Sequence, residues 1–187
     1  MVSCRHRGRP DEGCRDGFEC GGWGAGDDDP KMRKIIGARM GSAWSLLIGR
    51  VTYEDFYGFR PKQPPNPMTD ALNRVEKFVA SATLSEPLAW QNSKLLTGDA
   101  ADAIVELKRK HEKTLVIFGS GVLVQSLLRR DLINEFVLQI HPVVLGRGRL
   151  FPQDGAPAKF ELMESTTTGT GVIIAIWQLA SKPGFAE

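Results

Sequence analysis

The sequence predicts one α/β domain built on a twisted, mixed but mainly parallel sheet with helices on both faces and a C-terminal β-hairpin, and three observations carry that reading. Through most of the chain, short apolar runs end in glycine turns and lead into stretches with helical periodicity, the alternation that builds parallel sheets. The C-terminal part reads instead as successive strands. And 187 residues, 42% hydrophobic and 25% charged, suffice for one packed core and not for two comfortable ones.

Residues 1–30 are rich in Gly, Asp and Arg, lack periodicity, and read as an irregular arm; the domain proper is expected over residues 31–182. From Lys31 to Ala43, Met32, Ile35, Ile36 and Met40 recur at helical spacing, with Asp29 as cap and Pro30 in the first turn. Trp44 to Ile48 is a strand stopped by Gly49, and Thr52 to Phe59 begins with Thr52 and Asp55 in a capping-box arrangement. Pro61 to Pro67 is a surface loop, because each proline fixes φ and removes a donor. A short helix through Asp70 to Val75 and a buried strand from Lys77 to Ser81 follow, then a short strand near Leu95 and Leu96. Asp99 caps a helix over Ala100 to His111, whose terminal Lys108, Arg109 and Lys110 suit the helix dipole. Thr114 to Phe118 is a strand, and after Gly119-Ser120-Gly121 a helix carries Val122, Leu123, Leu127 and Leu128. Glu135 to Val144, Phe160 to Thr168 and Val172 to Leu179 complete the sheet as strands.

Composition excludes several functions. The net charge of +2 comes from scattered, nearly balanced acids and bases, without the basic block that tracks phosphates, so no nucleic-acid partner is expected. No apolar run spans a bilayer and no secretory signal is seen, so no membrane partner and a cytoplasmic location are expected. Cys4, Cys14 and Cys20 form no disulfide framework. With His6 they supply four zinc-type ligands, yet no paired-ligand turn is present, and no metal is expected.

In an open α/β sheet, ligands sit at the carboxyl ends of strands, where glycine turns and helix starts favour anions. Two such places stand out. Gly119-Ser120-Gly121 can offer backbone N–H groups to a pyrophosphate, and Gly49-Arg50-Val51-Thr52 sets a guanidinium and a hydroxyl beside a second helix start. Each is also readable as a plain tight turn. Ser81 and Thr83 end the Phe78 strand, either as turn caps or as contacts to a third anionic group. No proton donor is nominated: Glu54 and Asp55 read as helix-start carboxylates, Tyr53 as core, and His141 as a core or edge histidine. Ser120 lacks the G-x-S-x-G context of a hydrolase nucleophile.

SLLIGRVTYEDF (45–56), KFVASATLSEPLAW (77–90), LLTGD (95–99), LVIFGSGVLVQSLL (115–128) and FVLQIHPVVLGRGRLFP (136–152) occur in this order. Together they resemble the dihydrofolate-reductase-like proteins, specifically the C-terminal (RibD C-terminal) domain of the riboflavin-biosynthesis reductase, over roughly residues 8 to 180. The resemblance implies a three-layer dihydrofolate-reductase-like fold, NADPH (or NADH) as hydride donor, often a homodimer, and reduction of a small heterocycle of the pteridine or aminouracil type. It also implies that Gly49, Arg50 and Thr52 form the first phosphate turn, Ser81 and Thr83 the adenosine-ribose phosphate contact, and Gly119, Ser120, Gly121 and Val122 the pyrophosphate turn.

Two departures stand beside this. Ala82 occupies a position commonly Arg in similar proteins, removing a charge that favours NADPH over NADH. The family also begins with a central strand ending in a Leu-Asp-Gly type turn, whereas MVSCRHR has no strand pattern. The sheet is therefore expected to lack its usual first strand, the chain being either shortened or compensated by dimerisation or rearrangement. The rival to a reductase is then a catalytically silent nucleotide-binding or dimer-forming scaffold.

Overall fold

The computed structural model describes residues 2–4, 29–59, 66–146 and 158–180. In chain order these form β1 (Val2–Cys4), α1 (Pro30–Met40), β2 (Trp44–Gly49), α2 (Arg50–Phe59), α3 (Pro67–Arg74), β3 (Lys77–Ala80), β4 (Ser93–Leu96), α4 (Ala100–Lys110), β5 (Thr114–Phe118), α5 (Gly121–Arg129), β6 (Glu135–Ile140), β7 (Phe160–Thr167) and β8 (Ile173–Leu179). The strands make one sheet in the order β4-β3-β2-β5-β1-β6-β8-β7. The first six are parallel, and β8 pairs antiparallel with both β6 and β7, giving the expected mixed sheet and C-terminal hairpin.

The first strand is present, which corrects the expectation that residues 1–30 are irregular throughout and that the sheet lacks its opening strand. Val2 pairs with Ile117 on one side and Phe136 on the other, and Cys4 reaches the level of Leu138. Two neighbouring strands that each need a partner on their inner edges hold these three residues extended, whatever their local pattern. His6, Cys14, Cys20 and the family-like segment Gly8 to Trp23 lie outside the described residues, as do Pro61 to Pro65 of the predicted loop.

Side chains alternate across the strands as the two-residue period requires. Leu46, Ile48, Val79, Val116 and Phe118 face a core shared with Met32, Ile36 and Met40 of α1, Tyr53 of α2 and Leu72 of α3. Leu47, Phe78, Ile117 and Phe136 face the opposite core, with Ile104 of α4 and Leu123, Val124 and Leu127 of α5. Crossovers of one common hand explain the division: α1 and the α2–α3 pair carry the chain toward β4, whereas α4 and α5 carry it back toward β6. The reversal falls between the adjacent strands β2 and β5.

Some boundaries move. α3 begins at Pro67, three residues ahead of its predicted start, because the Asn66 side chain caps it by accepting from Thr69 N–H at 3.0 Å. β6 ends at Ile140 and not at Val144. The predicted Asp99 cap forms, accepting from Ala101 and Asp102 N–H at 3.0 Å each.

Asp29 does more than cap α1. Its Oδ1 accepts from Lys31 and Met32 N–H at 2.7 and 3.3 Å, and its Oδ2 accepts from Gly169 N–H at 3.0 Å in the β7–β8 turn. Burial pushes this carboxyl up, but the three N–H donors and the Lys31 charge outweigh it and hold the group below its ordinary value of 3.8. Asp29→Ala is expected to lower the thermal midpoint by about 5 °C near pH 7. Because the folded value lies below the unfolded one, this contribution is present above pH 3.8 and fades as pH falls through the folded value. Thermal melts from pH 7 to pH 3 check it; a gap between wild type and variant that does not shrink with acid removes the carboxylate from the explanation.

Candidate functional site

The reversal of direction at β2 and β5 makes the carboxyl edge of the sheet there a switch point, the place where open α/β sheets form a ligand crevice, and α2 and α5 both begin at it and leave on opposite faces. Gly49 ends β2 and Phe118 ends β5, so the two glycine turns singled out from the sequence lie side by side there.

A knot of hydroxyls ties them. The Gly49 N–H donates to Ser120 Oγ at 3.1 Å, and the Ser120 N–H donates to Thr52 Oγ1 at 3.2 Å. The Ser120 hydroxyl lies 3.0 Å from Thr52 Oγ1 and 3.2 Å from the Phe118 carbonyl, either of which accepts its single proton. Ser120 is held in the left-handed region, at φ 56° and ψ 45°, with no side-chain bond to its own helix. Gly119 precedes it at φ +59°, and a Cβ there would lie 3.5 Å from Thr52 Oγ1. These two turned residues aim the start of α5 outward while Thr52 holds them from below. Thr52 thus does not close a capping box with Asp55: α2 starts two residues earlier, at Arg50, and the Thr52 hydroxyl joins a residue 68 positions away.

What faces outward is backbone. Val124 N–H is the donor that returns to the Ser120 carbonyl, so the N–H groups of Gly121, Val122 and Leu123 precede the helical ladder. Among the described residues nothing lies within 4 Å of where a Cβ on Gly121 would sit, and Val122 is 79% exposed. Open space above a helix start is a cradle for an anionic group, reinforced by the helix dipole. The chemistry of this donor set fits a pyrophosphate.

The other predicted residues divide. Arg50 sits at the start of α2 and its guanidinium pairs with Glu54 at 3.0 Å, an i,i+4 contact that the reading of Glu54 as a plain helix-start carboxylate did not include. Ser81 follows Ala80, the strand partner of Gly49, so its turn lies one strand beyond the crevice. Its Oγ accepts from Thr83 and Leu84 N–H at 3.1 and 3.0 Å, a turn cap, while Thr83 is exposed. Tyr53 is buried and accepts from Trp90 N–H at 2.8 Å, as a core residue does. His141 is half-buried just past β6 on the same edge. Cys4, at the end of β1, is also brought to this edge, one residue past the Ser3–Phe118 pair; a three-residue strand offers no periodicity that would have shown it.

The sequence model of the RibD C-terminal domain matches residues 19–174, a span that contains both turns. The chain belongs to the RibD C-terminal domain family. The Bacillus subtilis (strain 168) protein "Uncharacterized protein YyaP" is similar to this chain, 26% identical over 140 residues, covering 71% of this chain and 72% of that one. Two solved structures share the fold. A Shewanella sp. PV-4 protein assigned to riboflavin biosynthesis aligns with a TM-score of 0.66 at 20% identity, over 96% of this chain and 98% of its own. A pyrimidine reductase-like protein of Corynebacterium diphtheriae aligns with a TM-score of 0.57 at 10% identity, over 96% and 91%. Among the described residues no group of three metal-ligating side chains is found, and no helix is long and apolar enough to cross a membrane.

Proposed function

We propose that this RibD C-terminal domain is an NAD(P)H-dependent reductase of a small heterocycle of the pteridine or aminouracil type. The observation that carries the reading is the pair of helix starts stitched together by Ser120 and Thr52 at the switch point, with the Gly121 and Val122 N–H groups open above them. When bound, a reduced nicotinamide supplies the hydride. The chain's own share is binding and positioning: α5 N–H groups hold the pyrophosphate, Arg50 flanks it, and the Ser120 knot fixes the spacing between the two turns. One nucleoside then extends over the ends of β3 and β4, and the other over β1 and β6, where the substrate meets it. A homodimer belongs to the same reading, supported by Ile140, Leu162 and Ile173, which stand 51%, 50% and 40% exposed on the C-terminal strands.

The silent-scaffold alternative rested on an absent first strand, and Val2–Cys4 fill that place. A hydrolase is not supported either, since Ser120 Oγ is engaged by Gly49 N–H, Thr52 and the Phe118 carbonyl, none of them a base. The test is turnover: coenzyme oxidation is followed with a panel of pteridines and aminopyrimidines, and stoichiometric product is expected. Arg50→Ala is expected to weaken binding of either coenzyme by about fivefold, the loss of one exposed cation that leaves Glu54 behind. Absence of coenzyme binding at millimolar concentration by both fluorescence and calorimetry would overturn the proposal.

A further inference from the structure

We propose that this site takes NADH as readily as NADPH, because among the described residues the surface over β3 gives a 2′-phosphate no cation of its own and the cation beside it is already matched by a carboxylate. The inference rests on the dinucleotide reading of the switch point.

A dinucleotide whose pyrophosphate lies on the starts of α2 and α5 must carry one ribose outward over the next strand, β3, which pairs with β2 in register Gly49 to Ala80. Discrimination between the two coenzymes depends on what that ribose meets: a guanidinium rewards a 2′-phosphate, whereas neutral or acidic groups suit a free 2′-hydroxyl. From Phe78 through Ser93 the chain has no Lys, Arg or His. The same stretch carries one charge, Glu86, whose carboxylate accepts from Leu95 N–H at 2.9 Å. Ser81 Oγ already accepts two backbone N–H groups, so its lone pairs are occupied, and its single O–H has Thr83 Oγ1 3.5 Å away as an acceptor. Thr83 adds a second neutral hydroxyl. These groups hydrogen-bond a ribose hydroxyl well and offer a phosphate dianion only uncharged donors.

Arg50, one residue past Gly49, is the cation adjacent to this turn, and Glu54 holds it at 3.0 and 3.2 Å. Both side chains are partly exposed, 43% and 37%, so the pair is weak and the guanidinium can swing away. The carboxylate stays within the same helical turn when it does, so the pair presents almost no net charge to a phosphate in either arrangement. A 2′-phosphate would therefore be desolvated for little electrostatic return.

Ala82 is exposed between Ser81 and Thr83, so a longer side chain has room there. The experiment measures dissociation constants of NADH and NADPH by fluorescence titration for wild type, Ala82→Arg and Glu54→Gln, with a thermal melt of each. For wild type the two constants are expected to agree within about threefold. Ala82→Arg is expected to tighten NADPH by about tenfold with NADH unchanged, and Glu54→Gln to shift the ratio the same way by about threefold. Wild type binding NADPH tenfold or more tightly than NADH overturns the inference and leaves the reductase reading standing, as does an unmoved ratio in both folded variants. If neither coenzyme binds wild type, the reductase reading itself fails and takes this inference with it.

Discussion

Gly121→Val is expected to weaken coenzyme binding by about a hundredfold while changing stability by no more than about 0.5 kcal/mol. The two effects separate because of where this glycine stands. No described residue comes within 4 Å of its Cβ position and its backbone lies outside the left-handed region, so the protein tolerates a side chain there. Valine in the first turn of a helix is no worse than glycine for the helix itself. The same empty space is what an anion on the α5 start must enter, and a branched side chain there blocks the approach to two N–H donors. Gly119→Val makes the contrast. There φ is +59° and the new Cβ comes within 3.5 Å of Thr52 Oγ1, so roughly 2 kcal/mol of stability should go along with binding. Calorimetric titration and urea unfolding on both variants distinguish a lost site from a lost fold. Unchanged affinity in Gly121→Val moves the anion away from α5.

The glycine turns were legible because they are local: an apolar run, two or three small residues, then helical periodicity is a pattern within about fifteen residues. So were the faces of the sheet, since Leu46 and Leu47 fall into opposite cores by simple alternation. What the sequence hid is whatever depends on distant neighbours. Thr52 and Asp55 have capping-box spacing, yet the Thr52 hydroxyl answers to Ser120, and no window of sequence contains both. Ser120 reads as a small residue that lets a phosphate approach; in place, its oxygen turns inward to receive the Gly49 N–H. Val-Ser-Cys is too short for any pattern and becomes a strand because β5 and β6 each present it an edge. Arg50 is a different case: its Glu54 partner lies only four residues on, within one helical turn, yet reading Glu54 as a plain helix-start carboxylate passed over the pair.

Lys77 was the largest surprise of position, and its removal carries the largest expected loss of stability. Charged strand-end residues are ordinarily solvated, but this side chain has no exposed surface. Its Nζ donates to the carbonyls of Val75, Gln91 and Asn73 at 2.9, 3.0 and 3.3 Å and lies 4.6 Å from the centre of the Trp90 ring. All three N–H donors are thus satisfied, and the ammonium fastens the 84–92 loop to the end of α3, at the edge of the sheet opposite the switch point. Burial nonetheless pushes it down to about 8 from an ordinary 10.5, so it remains charged at neutral pH. Lys77→Ala is expected to cost about 3 kcal/mol at pH 7, through the lost stem and three stranded carbonyls; Lys77→Met, which keeps the stem, should cost less than half of that. The pH dependence has a definite sign. Between about pH 8 and 10.5 the folded chain binds fewer protons at this group than the unfolded chain, so its contribution rises with pH across that window, by up to about 3 kcal/mol. The difference between wild type and Lys77→Met, which keeps the stem and removes the ammonium, isolates the lysine. Urea unfolding at pH 7, 8.5 and 10 should show the wild-type advantage over Lys77→Met widening with pH. A gap that stays constant means that the three carbonyls and the Trp90 face compensate burial completely and that the lysine keeps its ordinary affinity for the proton.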